Sequence, residues 1–532
     1  MAAVLPYEIL GIILNECADD CGALYSCILI NKAWYSVAIQ HLWANPFLLL
    51  HSKSFNRNRA KNLLITFIEC FTDIHIVKGS YKLLRKRYRK TPAFDYSLYL
   101  KTISSPALAT LVTVWLDTNI MEEVETIAVR IIYLAIQYCQ QLRTIHLARL
   151  STEAPWLHLN QLLVSIKSLP QLRRFTWRGD LCLEILDKFS NIAHNLEFLS
   201  INFERKNYYY LNEESNNSLH KLIESQHQLK AIEIHNVSTN MGSILDLLKS
   251  RSDSLESIYF GEVKFNSDHL LFKPVKLSQL KNITMNSCKI LCENGLNSLA
   301  MAELPLLQQL IVEYCHIPCM AWERLLFYHG KKLIDINVSG QGMSEKKFEV
   351  ISQTCHNLRH LSVYVYSNEQ LLFIAHTMKS LPTLHCVKLI QCLFSNYNYT
   401  HLFDIFAKCH LPHLDHLILF CSCNYSANNN INNNNNGKNF EVDSLKEFLS
   451  KSSPPLKTLI IFGEDVTDEH LDVILDHLSD TIRVLRVDTN IDSVSDKCFE
   501  RVKSVVKEFS TKRYSDYLQF RCNAEECKKR LI

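Results

Sequence analysis

Between residues 142 and 487 one phrase, apolar-x-x-apolar-x-apolar, occurs thirteen times, and from Leu229 to Leu384 it returns every 25 to 27 residues. The copies begin at Leu142, Leu172, Leu196, Leu229, Leu255, Leu280, Leu307, Leu333, Leu358, Leu384, Leu414, Leu456 and Ile482. A unit this short cannot bury its apolar face alone, so successive copies must stack into a continuous core. Offsets 3 and 5 of the phrase fall on the same side of an extended strand, because side chains alternate along it. Between the phrases apolar residues recur at three and four, the helical period, in SILDLLKS (Ser243 to Ser250), AWERLLFY (Ala321 to Tyr328), EQLLFIAH (Glu369 to His376) and DEHLDVILDHL (Asp468 to Leu478). Each unit is therefore expected to be one strand followed by one helix, and the fold class α/β.

The phrase resembles the leucine-rich repeat, in the longer class of that family. The resemblance implies a solenoid with parallel strands on its concave face and helices on its convex face. The family's position eight after the first leucine often holds Cys or Asn, whose side chain bonds loop backbone, and Cys288, Cys315 and Cys392 stand there. Intervals of 30, 24 and 33 residues separate the first copies, so the array is less regular at its N-terminal edge.

The 532 residues would ordinarily divide into several globular domains, but a solenoid lengthens by stacking. A formal net charge of +3 with 21% charged residues argues against a general polyanion binder, so no nucleic acid is expected. The start MAAVLPYEIL has neither the basic onset nor the apolar run of a signal peptide, and no stretch approaches the ~18 apolar residues of a membrane span. The expected location is cytoplasmic or nuclear, where the nineteen cysteines serve as small hydrophobes.

Ahead of the repeats, Val4 to Phe47 matches none of the phrases. Leu5, Ile9, Leu10 and Ile13 fall on one helical face, and Leu29, Ile30 and Trp34 form a second apolar cluster. Pro6 suits a first helical turn, where its missing N–H costs nothing. A helical bundle of about 45 residues is small enough to need a partner surface. The segment also resembles an F-box, through Leu5-Pro6-x-Glu8-Ile9-Leu10, Asn31-Lys32-Ala33-Trp34 and Leu42-Trp43. That resemblance implies docking on the Skp-type adaptor of an SCF ubiquitin ligase, with Leu5, Pro6, Ile9, Leu10 and Ile30 in contact with the adaptor and Trp34 and Trp43 in the bundle core. Asn31-Lys32-Ala33 departs from the family, which commonly shows a Cys-Lys or Cys-Arg pair. A segment that only covers the open end of the solenoid is the competing reading.

The expected organisation is thus an F-box at 1–50, a helical linker at 51–135, the solenoid at 136–490 and a C-terminal capping helix and tail at 491–532. The linker includes NLLITFIECF (Asn62 to Phe71) and EEVETIAVRIIYLAIQYC (Glu122 to Cys139), and it carries a basic cluster at 82–90 that reads first as a solvated helix face, with a nuclear import signal or a phosphate-binding stripe as the alternatives. An Asn-rich insert at about 424–439 has too little apolar surface to fold. The last helix is expected over Ser495 to Phe509.

Catalytic signatures are missing from the sequence. His410, His413 and His416 recur near Cys421 and Cys423, but repeat leucines interleave them and no Cys-x-x-Cys occurs, so neither metal nor other cofactor is expected. There is no phosphate-binding glycine loop and no Gly-x-Ser-x-Gly, and the chain is expected not to be an enzyme.

Offsets 2, 4 and 6 of each phrase point to the concave face. They are polar in the middle copies (Asn282, Thr284, Asn286; Asp335, Asn337, Ser339) and turn apolar later, at Ile390, Ile418, Phe420, Ile460 and Phe462. With Tyr364 and Lys388 at the edge, these predict an exposed apolar patch that receives a protein substrate, or that the C-terminal tail covers. Arg174 and Arg178 could add a contact to an acidic partner. Together the resemblances imply a substrate receptor joined through its adaptor to cullin and RING subunits. The alternatives are a ubiquitin-independent repeat scaffold or inhibitor, and a small-molecule sensor.

Overall fold

A computed structural model describes residues 5–18, 20–51, 56–70, 95–117, 120–149, 154–164, 166–179, 183–203, 209–210, 213–239, 241–266, 275–339, 343–391, 399–421, 441–462, 466–487 and 494–511. The basic cluster at 82–90, the Asn-rich insert, Cys392 and the tail after 511 lie outside them. The chain divides into two compact units, Met1–Thr239 with Asp246–Tyr259, and Asn240–Leu245 with Phe260–Ile532.

The first unit opens with helices α1 (Tyr7–Glu16), α2 (Cys21–Ile28), α3 (Lys32–Ala44) and α4 (Arg57–Cys70). Strands β1 (Thr102–Ser104), β2 (Thr144–Ala148), β3 (Arg174–Arg178), β4 (Phe198–Asn202) and β6 (Ala231–His235) come next, each paired in parallel with the one before. The short β5 (Tyr209–Tyr210) and β7 (Val237–Thr239) pair separately, and the unit boundary falls within β8 (Ser257–Gly261). Helices expected in the linker form at Arg57–Cys70 and Met121–Tyr138.

In the second unit β10 (Asn282–Asn286), β12 (Gln309–Glu313), β13 (Asp335–Ser339), β14 (His360–Val365), β15 (Cys386–Gln391), β16 (His416–Cys421), β17 (Thr458–Phe462), β18 (Val484–Val487) and β19 (Glu508–Thr511) pair in parallel, in that order. The two-residue β9 (Lys264–Phe265) and β11 (Lys289–Ile290) form a separate parallel pair. Helices lie between successive strands and pack side by side, among them Cys319–His329, Glu345–Thr354, Asn368–Ser380, Val442–Ser452 and Asp468–Leu478. The result is a solenoid-like stack of strand and helix units.

All thirteen phrases place a strand that begins two residues after the first apolar residue. That constant offset has a backbone cause: the carbonyl at offset 1 accepts from the N–H groups at offsets 1 and 2 of the next copy. Lys281 O, for example, accepts from Gln308 N at 2.8 Å and Gln309 N at 3.0 Å, and Arg173 O from Glu197 N at 2.7 Å and Phe198 N at 3.0 Å. Side chains at offsets 0, 3 and 5, such as Leu280, Ile283 and Met285, are buried. Offsets 2, 4 and 6 fill the opposite face, as alternation requires.

The stack is longer than the phrases. Lys101 O accepts from Arg143 N and Thr144 N in the same way, making Leu100 and Ile103 the start of a truncated copy whose strand is β1. At the other end the expected helix over Ser495 to Phe509 stops at Val505, and the chain re-enters the sheet as β19. Val506 and Phe509 supply the truncated phrase there, and Glu508 N donates to Arg483 O at 3.0 Å.

Position seven is left-handed in four consecutive copies although none is glycine: Asn236 (φ 58°), Glu262 (54°), Ser287 (55°) and Tyr314 (53°). Turning there aims the N–H of Glu262 at Asn286 O and that of Ser287 at Glu313 O, both at 2.7 Å. Those bonds offset the cost of about 1–2 kcal/mol that a side chain meets in this region. Cysteine at position eight closes the same turn. Cys288 Sγ donates to Phe260 O at 3.4 Å, Cys315 Sγ to Met285 O at 3.4 Å, and Cys288 N to Cys315 Sγ at 3.2 Å. Burial and the adjoining Cys315 push the Cys288 thiol well above its ordinary value. Iodoacetamide should therefore leave Cys288 unlabelled in folded protein while labelling the half-buried Cys292, as peptide mass spectrometry would read.

His329, at the end of helix Cys319–His329, is 2% exposed, with Nε2 3.2 Å from Leu299 O. Burial lowers its pKa to about 4. Above the unfolded value of about 6.5 the imidazole is neutral in both states and contributes no pH dependence. As pH falls from there through about 4 the unfolded chain binds the extra proton, so stability drops, in total by roughly 3 kcal/mol. His329→Gln should flatten that part of the acid branch in urea titrations at pH 7, 5.5 and 4.

Candidate binding surfaces

The N-terminal bundle is built by its caps. Asp20 Oδ1 accepts from Gly22 N at 2.9 Å and Ala23 N at 3.0 Å to start α2, and Asn31 Oδ1 accepts from Ala33 N at 2.9 Å and Trp34 N at 3.1 Å to start α3. Asn31 thus serves the fold as the N-cap that its residue type favours. Pro6 precedes α1, and its carbonyl accepts from Leu10 N at 3.1 Å. Helices α1 and α2 both pack on α3 around Leu14, Leu24 and Ala38, with Cys17, Cys27, Ile28, Trp34, Val37 and Leu42 closing around them.

Of the residues that the F-box resemblance assigns to an adaptor, Leu5, Pro6, Ile9 and Ile30 are exposed, Ile9 by 42% and Ile30 by 57%. Leu10 is not: at 1% exposure it points, with Leu14 one turn later, into the bundle. The buried face of α1 is that pair, so Leu10 does not share the face of Ile9 and Ile13. Ile12 and Ile13 extend the outward stripe of α1. Tyr25, Leu29 and Ile30 form a second along α2 and the turn after it. Sequence reasoning missed Tyr7, Ile12, Ile13, Tyr25 and Leu29 as surface residues. Their signal was the spacing of Ile9, Ile12 and Ile13 at three and four.

Trp43 is core, and it also fixes the bundle to the segment after it. Its ring stacks on Tyr96 at 4.2 Å and meets Phe67 of α4 at 5.5 Å, Phe47 stacks on the same Phe67, and Lys101 N donates to Ala44 O at 3.0 Å. The bundle is therefore joined by packed rings to the stretch of chain that begins the first sheet.

On the sheet face opposite the buried positions, the second unit changes character along its strands. In β10, β12 and β13 the side chains apart from Ile311 are polar, and several are mutually bonded: Asn286 Nδ2 donates to Glu313 Oε2 at 3.1 Å, Asn337 Nδ2 to Glu313 Oε1 at 3.0 Å, and Gln309 Nε2 to Asp335 Oδ2 at 2.6 Å. From β15 to β17 the face turns apolar at Ile390, Ile418, Phe420, Ile460 and Phe462, with Lys388, His416 and Thr458 among them. Register sets Lys388 beside Ile418 and Ile460, and Ile390 beside Phe420 and Phe462. Phe420 and Phe462 lie 5.3 Å apart, and Lys388 Nζ stands 5.2 Å from the Phe420 ring centre.

The structure brings the seven expected residues together, but this is not the open patch that alternation suggests. Ile418, Ile460 and Phe462 are only 6%, 8% and 3% exposed and form a closed cluster with Cys386. Tyr364, Lys388, Ile390 and Phe420 are half-buried. Burial and the neighbouring field of Asp335 push the Cys386 thiol up to about 12. Burial raises the Tyr364 phenol, as do the Tyr314 hydroxyl 3.3 Å from its Oη and the charge of Glu313, so Tyr364 keeps its proton at all ordinary pH. In the first unit Arg174 and Arg178 are exposed, with the Arg174 guanidinium 4.4 Å above the Phe198 ring.

The histidine series separates. His416 stands on β16, where burial lowers its pKa, and the ring of His413 stacks on His385 at 6.4 Å. Among the described residues no group of three His, Cys, Asp or Glu could hold a metal ion, and no helix is long and apolar enough to cross a membrane.

No family model and no curated protein matches this chain. It is similar to a chain in the crystal structure of the Rad7 and Elc1 complex in yeast, at 13% identity over 66% of this chain and 77% of that one, with a TM-score of 0.29. A score so low leaves function to be argued from the chain's own residues.

Proposed function

We propose that the chain is the substrate-recognition subunit of an SCF-type ubiquitin ligase. The N-terminal bundle docks a Skp-type adaptor, and through it cullin and RING subunits, while the repeats hold a protein target. The observation that supports this reading is the outward apolar surface of the bundle, where Leu5, Pro6, Ile9 and Ile30 stand exposed at the positions the F-box resemblance gives to adaptor contact. A structural cover for the sheet would bury such residues against its own chain. The packed rings around Trp43 suit the same role, because a ligase must hold its target at a fixed distance from the transferring enzyme. The chain performs no chemistry itself; rate enhancement comes from proximity, which makes ubiquitin transfer effectively intramolecular.

The test is co-elution of the purified protein with a Skp-type adaptor on size exclusion, beside the Leu5→Ala, Pro6→Ala double variant. A complex formed by the wild type and lost in the variant is the expected result. A well-folded wild type that forms none would leave a repeat scaffold unconnected with ubiquitin.

A further inference from the structure

Along the first three strands of the first unit every Asp, Glu, Lys or Arg position of the sheet face and its rim is filled by a cation. In each copy the residue at offset 1 stands at the rim, and those at offsets 2, 4 and 6 stand on the face opposite the buried positions. For β1, β2 and β3 these positions supply Lys101, Arg143, Arg173, Arg174 and Arg178 and no acid. Backbone bonds hold them in neighbouring columns: Lys101 O accepts from Arg143 N at 2.8 Å, and Arg143 O accepts from Arg173 N at 2.8 Å and Arg174 N at 2.9 Å. Arg178 lies four residues beyond Arg174 on the same face of β3, about 13 Å along the strand.

Like charges on adjacent strands repel. Burial and the charge of Arg143 lower the Lys101 ammonium, and burial and the charge of Arg174 lower the His146 imidazole on β2. The acids that begin on the next strands are already engaged. Glu197 Oε1 lies 3.5 Å from Arg173 Nε and its Oε2 3.2 Å from Lys230 Nζ, while Glu233 Oε2 lies 3.6 Å from His235 Nε2. Lys101, Arg143, Arg174 and Arg178 make no ion pair with any described residue, and the three arginines are exposed. Such a gathering costs the fold energy, but a face of one sign draws a partner of the other. Beside the arginines the face is low, with Thr144 and Ala148 on β2 and Thr176 on β3, so a chain has room to lie across it.

The chemistry of the face favours a polypeptide over a nucleic acid. On this side β1 to β3 present no Phe, Tyr or Trp on which a base could stack, and the neighbouring Phe198 ring is covered by the Arg174 guanidinium at 4.4 Å. The cations also give way to Glu197 and Glu233, so the unbroken phosphates of a duplex would run on to acids, whereas a polypeptide sets its carboxylates only where its sequence places them. Arg174 and Arg178 stand too far apart along β3 to share one phosphate, which suits single charges spread along a chain.

We propose that this face of β1 to β3 is the docking surface for an acidic segment of a partner polypeptide, with Arg143, Arg174 and Arg178 receiving its Asp and Glu carboxylates. It rests on the substrate-receptor reading only in taking that partner to be the target.

The experiment is fluorescence polarisation of full-length protein with labelled Glu-rich peptides, acetylated and amidated at their ends, beside matched Gln-rich peptides, phosphoserine peptides of equal charge and an oligothymidine strand. Wild type should bind the Glu-rich peptides about tenfold more tightly than the Gln-rich ones, and rising salt should weaken that binding. Arg174→Glu with Arg178→Glu should weaken it about tenfold and bring binding of Lys-rich peptides instead. Lys331→Glu with Lys446→Glu, the same charge change on exposed lysines of the second unit, should do neither. Should the arginine reversal melt early, Arg174→Gln with Arg178→Gln is read in its place, with loss of Glu-rich binding expected. Equal binding of Glu-rich and Gln-rich peptides, tighter binding of phosphoserine peptide or oligothymidine, or the same loss in both reversed pairs would each overturn the proposal. Adaptor co-elution of the same preparations reports separately on the ligase reading, which fails only if wild type forms no adaptor complex.

Discussion

Replacing Ile9 and Ile30 together by Asp should weaken the complex with a Skp-type adaptor by about a thousandfold and leave the folded bundle intact. Both side chains are exposed, so a charge there is solvated in the free protein and becomes costly only when a partner covers it. Central interface residues are typically worth about 2 kcal/mol or more each, and two of them give the stated factor. Isothermal titration with purified adaptor reads the loss, and circular dichroism the unchanged helix content. Leu10→Ala is the contrasting variant. Its side chain is inside the bundle, so it should lower stability by about 2–5 kcal/mol and weaken adaptor binding only through that instability. If Ile9→Asp with Ile30→Asp binds as wild type does, the exposed stripes of the bundle are not the adaptor surface.

The second large effect is expected far from any binding surface. Trp322 is 1% exposed between helices Cys319–His329 and Glu345–Thr354, and its Nε1 donates to Lys347 O at 3.4 Å. Lys347 is itself buried and spans back to Ile317 O at 2.7 Å through its Nζ. Trp322→Ala removes the largest side chain of this joint and leaves the Lys347 carbonyl without its side-chain donor, at a cost of about 3–5 kcal/mol. In a stack of repeats each unit draws stability from its neighbours, so the damage should centre on the two helices and fade along the array. Hydrogen exchange should show faster exchange over 319–354, with much less change in α1 to α3. A uniform loss of protection across the chain would mean that the solenoid unfolds as one cooperative body.

The strands were legible in the sequence because one physical requirement repeats: offsets 0, 3 and 5 must be apolar, and the backbone bonds at offset 1 keep the distance from leucine to strand constant. Strands β1 and β19 escaped notice for the same reason in reverse. Leu100 with Ile103 and Val506 with Phe509 satisfy two of the three positions, while Ser105 and Thr511 occupy the third. Position-eight cysteines were legible by type, and Cys288 and Cys315 make the backbone bonds expected of them.

The binding surfaces were less so. Helix α1 is apolar around most of its circumference, so residue spacing cannot say whether Leu10 or Ile9 faces inward; only the packing of α3 against Leu14 decides it. Alternation correctly sends Ile418, Ile460 and Phe462 to the face opposite the buried leucines, but a direction along a strand is not exposure, and tertiary packing closes them while leaving Lys388 and Tyr364 half open. The sequence by itself determined the repeat, its register and the identity of the core, because those follow from local periodicity. Tertiary structure alone decided which apolar residues remain available to a partner and which cations are left without a counter-charge, because both depend on neighbours brought together from distant copies of the repeat.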